Sequence, residues 1–103
     1  MIFKQTATAV ENEELVTTYD LAQNYPNPFN PMTNISCRLA KGGYVTLKVY
    51  NLLGHEIAML VNEYKPPGKY DIKFDASNLA SGVYFYKMQA GSFSDTKKFI
   101  LMK

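Results

Sequence analysis

Three of the chain's five prolines fall in one octet, Asn24-Tyr-Pro-Asn-Pro-Phe-Asn-Pro31. Each proline fixes its own φ and removes a backbone donor. Each also pushes the residue before it (Tyr25, Asn27 and Asn30) toward extended geometry. The octet can therefore be neither a helix nor a central strand. Its three asparagines offer side-chain bonds to nearby backbone in place of the missing ladder. The expected result is a stiff, irregular, extended segment with Phe29 as its apolar anchor. The chain reads as a tail before it and as a compact β domain after it.

The 103 residues suit one small domain with a single core and little room for a deep catalytic pocket. Hydrophobic residues make up 47%, which excludes disorder throughout. The net charge of +2 is too small to suggest a nucleic-acid partner. Charge is uneven, however. Lys4 stands against Glu11, Glu13, Glu14 and Asp20, leaving ten Lys and Arg against five Asp and Glu beyond them. Residues 1–18 hold no lasting periodicity and read as a linker or disordered tail, with a short helix near 10–16 as an option. The domain is placed at 19–103.

From Thr33 onward apolar and polar residues alternate with a period of two. Ile35, Cys37 and Leu39 take one face. Val45, Leu47 and Val49 do the same after a turn at Lys41-Gly-Gly43, so these two strands are expected to pair as a hairpin. Tyr19 and Leu21 suggest a short strand ahead of the octet. Asn51-Leu-Leu-Gly54 closes the next hairpin, with Gly54 in its left-handed position. Residues 55–61 form a strand whose mixed pattern at Met59, Leu60 and Val61 signals a bulge or an edge. Lys65-Pro-Pro-Gly68 turns into the alternating Tyr70, Ile72 and Phe74. Asp75–Gly82 is too long for a tight hairpin and should cross between sheets, with Leu79 tucked beneath. Gly82–Met88 is apolar on both sides and so central; Phe93–Met102 is the last strand. Seven short strands at this spacing predict an all-β fold, an Ig-like antiparallel β-sandwich.

Little chemistry is legible. Cys37 is the single cysteine, so no internal disulfide forms, and in an alternating strand it reads as a core residue. His55 is the single histidine and follows a turn. One His and one Cys hold no zinc unaided. Asp71 and Asp75 read as solvated surface, the Asn34-Ile-Ser36 sequon sits within a strand, and no phosphate-cradling loop is present. No catalytic residue, cofactor, metal or small-molecule substrate is expected. Tyr44, Tyr50, Tyr84 and Tyr86 either edge the core or form an exposed aromatic strip. Lys97, Lys98 and Lys103 read from composition as a solvated edge that discourages strand addition.

Four stretches in order resemble one family. The octet, Val49-Tyr-Asn-Leu-Leu-Gly54, Phe74–Tyr86 and the ending Thr96–Lys103 are similar to the C-terminal sorting domain, type A, carried by cargo of the bacterial type IX secretion system. The resemblance covers roughly residues 19–103. It implies a non-catalytic address module recognised by outer-membrane secretion machinery and removed by a surface transpeptidase, often with transfer of the cargo to a surface glycolipid. The implied destination is the cell surface or the medium, by way of the periplasm. The cargo would lie N-terminal to the domain, with cleavage ahead of Tyr19. Gly82, Tyr84, Tyr86, Thr96, Lys97, Lys98 and Lys103 match the part that the family uses for recognition. Asn24, Pro26, Asn27, Pro28, Phe29, Asn30, Pro31, Asn51, Gly54 and Gly68 carry the structural motif. Met1-Ile-Phe-Lys4 is followed by no apolar signal stretch. Export would thus need a signal on another part of the protein, and the chain reads as a fragment. The alternative is an Ig-like binding or spacer module of a surface protein, carbohydrate-binding or similar to the Ig-like domain of flagellar hook-capping proteins. Lys103 directly after the last strand favours the address module. A hydrolase joining His55 to Ser77 or Ser81 has almost no support.

Overall fold

The computed structural model describes residues 18–103. Seven strands follow one another: β1 (Asp20–Leu21), β2 (Met32–Leu39), β3 (Gly43–Tyr50), β4 (Glu56–Lys65), β5 (Gly68–Asp75), β6 (Gly82–Ala90) and β7 (Phe93–Leu101). They form two antiparallel sheets, one ordered β1-β2-β5 and the other β4-β3-β6-β7. The architecture is the expected Ig-like sandwich, without a helix among the described residues. The tail and the optional helix at 10–16 fall outside these residues, apart from Thr18.

Alternation turns directly into burial. Ile35, Cys37 and Leu39 on β2, and Val45, Leu47 and Val49 on β3, are all buried. Tyr84, Tyr86, Met88 and Ala90 line the inner face of β6, and Phe99 and Leu101 that of β7. One-sided burial of this kind is what a period of two specifies. Burial pushes the Cys37 thiol above its ordinary range, which suits a packing residue and opposes thiolate chemistry.

One pairing differs from expectation. β2 and β3 do not form a hairpin: β2 pairs with β1 and β5, whereas β3 pairs with β4 and β6. Lys41-Gly-Gly43 carries the chain from one sheet to the other. A glycine turn signal reports that the chain bends. It does not say which neighbour the next strand finds.

β3 and β4 do form a hairpin around Asn51–Gly54. Asn51 Oδ1 accepts the N–H groups of Leu53 (2.9 Å) and His55 (3.0 Å). Gly54 closes the turn at φ +85°, a conformation that a Cβ disfavours. The register then slips twice, so that Leu60 and Ile57 have no partner of their own. These bulges lie on β4, an edge strand, and twist that edge away from foreign strands. β4 also runs to Lys65, beyond the expected 61.

The Asp75–Gly82 segment crosses between the sheets as expected. Asp75 Oδ1 accepts from Ser77 N (2.9 Å) and Ser77 Oγ (2.5 Å), which starts the crossover and holds the carboxyl below its ordinary range. Ala76 is buried and Leu79 packs against the core. Tyr84 donates its hydroxyl to the Ala80 carbonyl at 2.6 Å, the tyrosine-corner arrangement of Ig-like sandwiches.

Candidate functional site

The proline octet is a clasp that joins the two sheets along one side. At its start Tyr25 exchanges two backbone bonds with Asn34 of β2, each 2.9 Å. At its end Phe29 bridges β7 in parallel: Phe29 N donates to the Ile100 carbonyl (3.1 Å), and Met102 N donates to the Phe29 carbonyl (3.0 Å). Asn27 Oδ1 takes the Ile100 N–H at 2.9 Å. Pro31 lends its carbonyl to Ala76 N. Prolines suit this position because only one side of the segment needs donors.

Asn24 and Phe29 hold the clasp from within. Asn24 is buried, and its amide donates to Thr33 Oγ1 (2.9 Å) and to the Pro26 carbonyl (3.1 Å). Thr33 Oγ1 donates to the same carbonyl at 2.9 Å. A buried amide satisfied in this way fixes one geometry. The Phe29 ring is 3% exposed and lies 5.1 Å from Phe99 and 6.5 Å from Phe74. Phe99 stacks in turn on Tyr84 at 5.3 Å. Pro26, Asn27, Pro28 and Asn30 are exposed.

The structure separates the residues expected to serve recognition. Tyr86 is fully buried. Its hydroxyl donates to the Ala22 carbonyl at 2.7 Å, and burial pushes its pKa up to about 12. Tyr84 is 9% exposed. Neither ring is presented to the surface. Gly82 opens β6 at φ +156°. Along β7 neighbours alternate. Thr96 and Lys98 point outward, opposite Lys87 and Phe85. Lys97 takes the other face, opposite Tyr86, 3.9 Å from Asp95. Lys103 is engaged elsewhere: its N–H donates to Ser81 Oγ (3.0 Å) and its Nζ to the Ser77 carbonyl (2.7 Å), tying the crossover to the end of β7. The basic ending is therefore three separate environments. Tyr44 is 58% exposed and Tyr50 half-buried, so the four tyrosines form no common strip.

Sequence reasoning missed the partners of the clasp and the hydroxyl of Tyr86, whose acceptor lies 64 residues away. It also passed over Gln23, which donates to Asn24 Oδ1 (2.7 Å) and to the Lys98 carbonyl (2.6 Å). The tyrosine corner had a local signal: a tyrosine shortly after a sheet-to-sheet crossover.

Fold and site together define a stapled, disulfide-free sandwich domain whose structural investment lies in joining its early segment to its last strand. The chain belongs to the family of secretion system C-terminal sorting domains, whose profile matches residues 23–102. It is a sorting module. No curated protein matches the chain in sequence. Two solved structures from Porphyromonas gingivalis share the fold. Dimeric latent PorU aligns with a TM-score of 0.62 at 17% identity, over 82% of this chain and 9% of that one. PorZ, an essential surface component of the type IX secretion system there, aligns with a TM-score of 0.54 at 18% identity, over 82% of this chain and 11% of that one. The chain thus spans about a tenth of either protein.

Proposed function

We propose that the domain is a type A address by which a type IX secretion system takes an N-terminally attached cargo across the outer membrane to the surface or the medium. The family match over residues 23–102 carries this reading. The shared fold with PorZ, itself a component of such a system, supports it. In this reading residues 19–103 are the address and the preceding residues the linker where a surface transpeptidase cuts. Physically the molecule suits the task, because its packing stands without a disulfide and its clasp fixes one shape. The hydrolase reading gains nothing: His55 is exposed, and Ser77 Oγ is bonded to Asp75.

Deleting Thr96–Lys103 would be a poor test, since it removes Phe99 and the clasp's partner and so unfolds the label it means to silence. The better test fuses the whole chain to a signal-peptide-bearing fluorescent protein in a host with a type IX system. The expected result is fluorescence at the surface or in the medium, and periplasmic retention of the reporter alone. A folded fusion that stays in the periplasm would sink the proposal.

A further inference from the structure

The two outer faces of the sandwich differ in kind. On the three-stranded sheet the outward positions opposite one another are Asn34 and Lys73, Ser36 and Asp71, Arg38 and Lys69, a polar face with both signs. On the four-stranded sheet two rows run across β3, β6 and β7. One row is Tyr50–Phe85–Lys98 and the next is Lys48–Lys87–Thr96. Between them lies a groove of about 360 Å³, lined by Tyr50, Leu52, Phe85, Lys87 and Thr96 among others. Leu52 at its rim is 66% exposed.

The sandwich does not need these residues, since they lie outside its core. Lys48 and Lys87 stand directly opposite each other, a like-charge pair that costs sheet stability. Lys48 is offset by Glu56 at 3.5 Å. Among the described residues no carboxylate lies within ion-pair distance of Lys87 or Lys98. A shallow, partly apolar groove beside cations that lack a carboxylate partner among the described residues suits a protein partner.

From this we infer that the outer face of the four-stranded sheet is where the secretion machinery reads the domain, through a folded protein surface that sets an apolar side chain against Phe85 and carboxylates against Lys87 and Lys98. The inference rests on the sorting reading and adds which face is read and by what chemistry. Strand addition at β7 is the poorer route. The clasp covers that edge from Lys98 to Met102, and the Thr96 N–H is turned to Asp95 Oδ1 at 2.9 Å. A bilayer suits the face less well, because the Phe85 ring is half-buried and does not protrude.

The test uses the whole-chain export fusion in three forms: unaltered, Lys87→Glu with Lys98→Glu, and Lys69→Glu with Lys73→Glu on the other sheet. Lys87→Glu places a carboxylate opposite Lys48, so the first pair should keep its thermal melt. Its export should fall on the order of tenfold or more, because two charges are reversed at an interface. The second pair should export like the unaltered chain. Equal export by all three, or equal loss in both pairs, overturns the assignment of the face while leaving the sorting reading standing. Retention of the unaltered fusion overturns both. Purified chain is also sedimented with phosphatidylglycerol vesicles. Binding that depends on Lys87 and Lys98 would reassign the face to membrane and overturn the protein partner.

Discussion

Replacing Phe29 by alanine tests whether the proline segment closes the sandwich or merely lies on it. The backbone bonds of the clasp survive this change, so the loss belongs to the ring. Phe29 is almost wholly buried among Phe74 and Phe99. Removing such a ring costs about 3–5 kcal/mol. Its geometry against Phe99 adds part of the ~0.5–1.5 kcal/mol specific to aromatic pairs. A domain of this size holds only about 5–15 kcal/mol in all. With a urea slope of about 1.5 kcal/mol per molar, the midpoint should fall by roughly 2–3 M. Urea melts followed by tyrosine fluorescence measure this directly, with Phe29→Leu as a partner that keeps most of the volume and should lose much less. A double-mutant cycle with Phe99→Ala should return a coupling of about 0.5–1.5 kcal/mol. If Phe29→Ala moves the midpoint by less than about 0.5 M at unchanged slope, the segment is an ornament and the clasp account is wrong.

Two further outcomes follow from the buried polar groups. Asn24→Ala removes the buried amide that donates to Thr33 Oγ1 and to the Pro26 carbonyl, leaving each with one partner fewer, and should cost about 1–3 kcal/mol by the same urea melts; a cost near zero would mean that water replaces the amide. Tyr86 gives a pH signature. Its folded pKa of about 12 exceeds the ordinary tyrosine value near 10, so the unfolded chain releases this proton first. Its stabilisation is complete below about pH 10 and is lost as the pH rises toward 12, at about 1.4 kcal/mol per pH unit. Tyr86→Phe should start less stable and then lose less between pH 10 and 11; parallel pH profiles for the two proteins would refute the assignment.

The strands were legible because burial here is one-sided: Ile35, Cys37 and Leu39, or Val45, Leu47 and Val49, could face only inward. The bulge near Leu60 was legible for the complementary reason, a broken alternation. Sheet membership was not. Lys41-Gly-Gly43 and Asn51–Gly54 look alike as turn signals, yet one changes sheets and the other makes a hairpin. The difference lies in which distant strand offers a better partner. Phe29 was recognisable as an anchor, but nothing local announces that it meets Leu101. Lys97 and Lys98 failed in another way. Adjacent letters look like one patch, and the pleat sends them to opposite faces.

The clasp has a consequence for how damage shows itself. Asn27 and Ile100 are bonded across 73 positions of sequence, and Lys103 ties the end of β7 to the crossover near Ser77 and Ser81. A piece of the sandwich that lacks either the proline octet or β7 is thus not self-sufficient, and loss of either opens the aromatic cluster around Phe99. A half-made sandwich cannot pass for a whole one, because the octet and the last strand must both be present for the shape to exist. The same contacts that make the domain stable also make it a check on its own integrity.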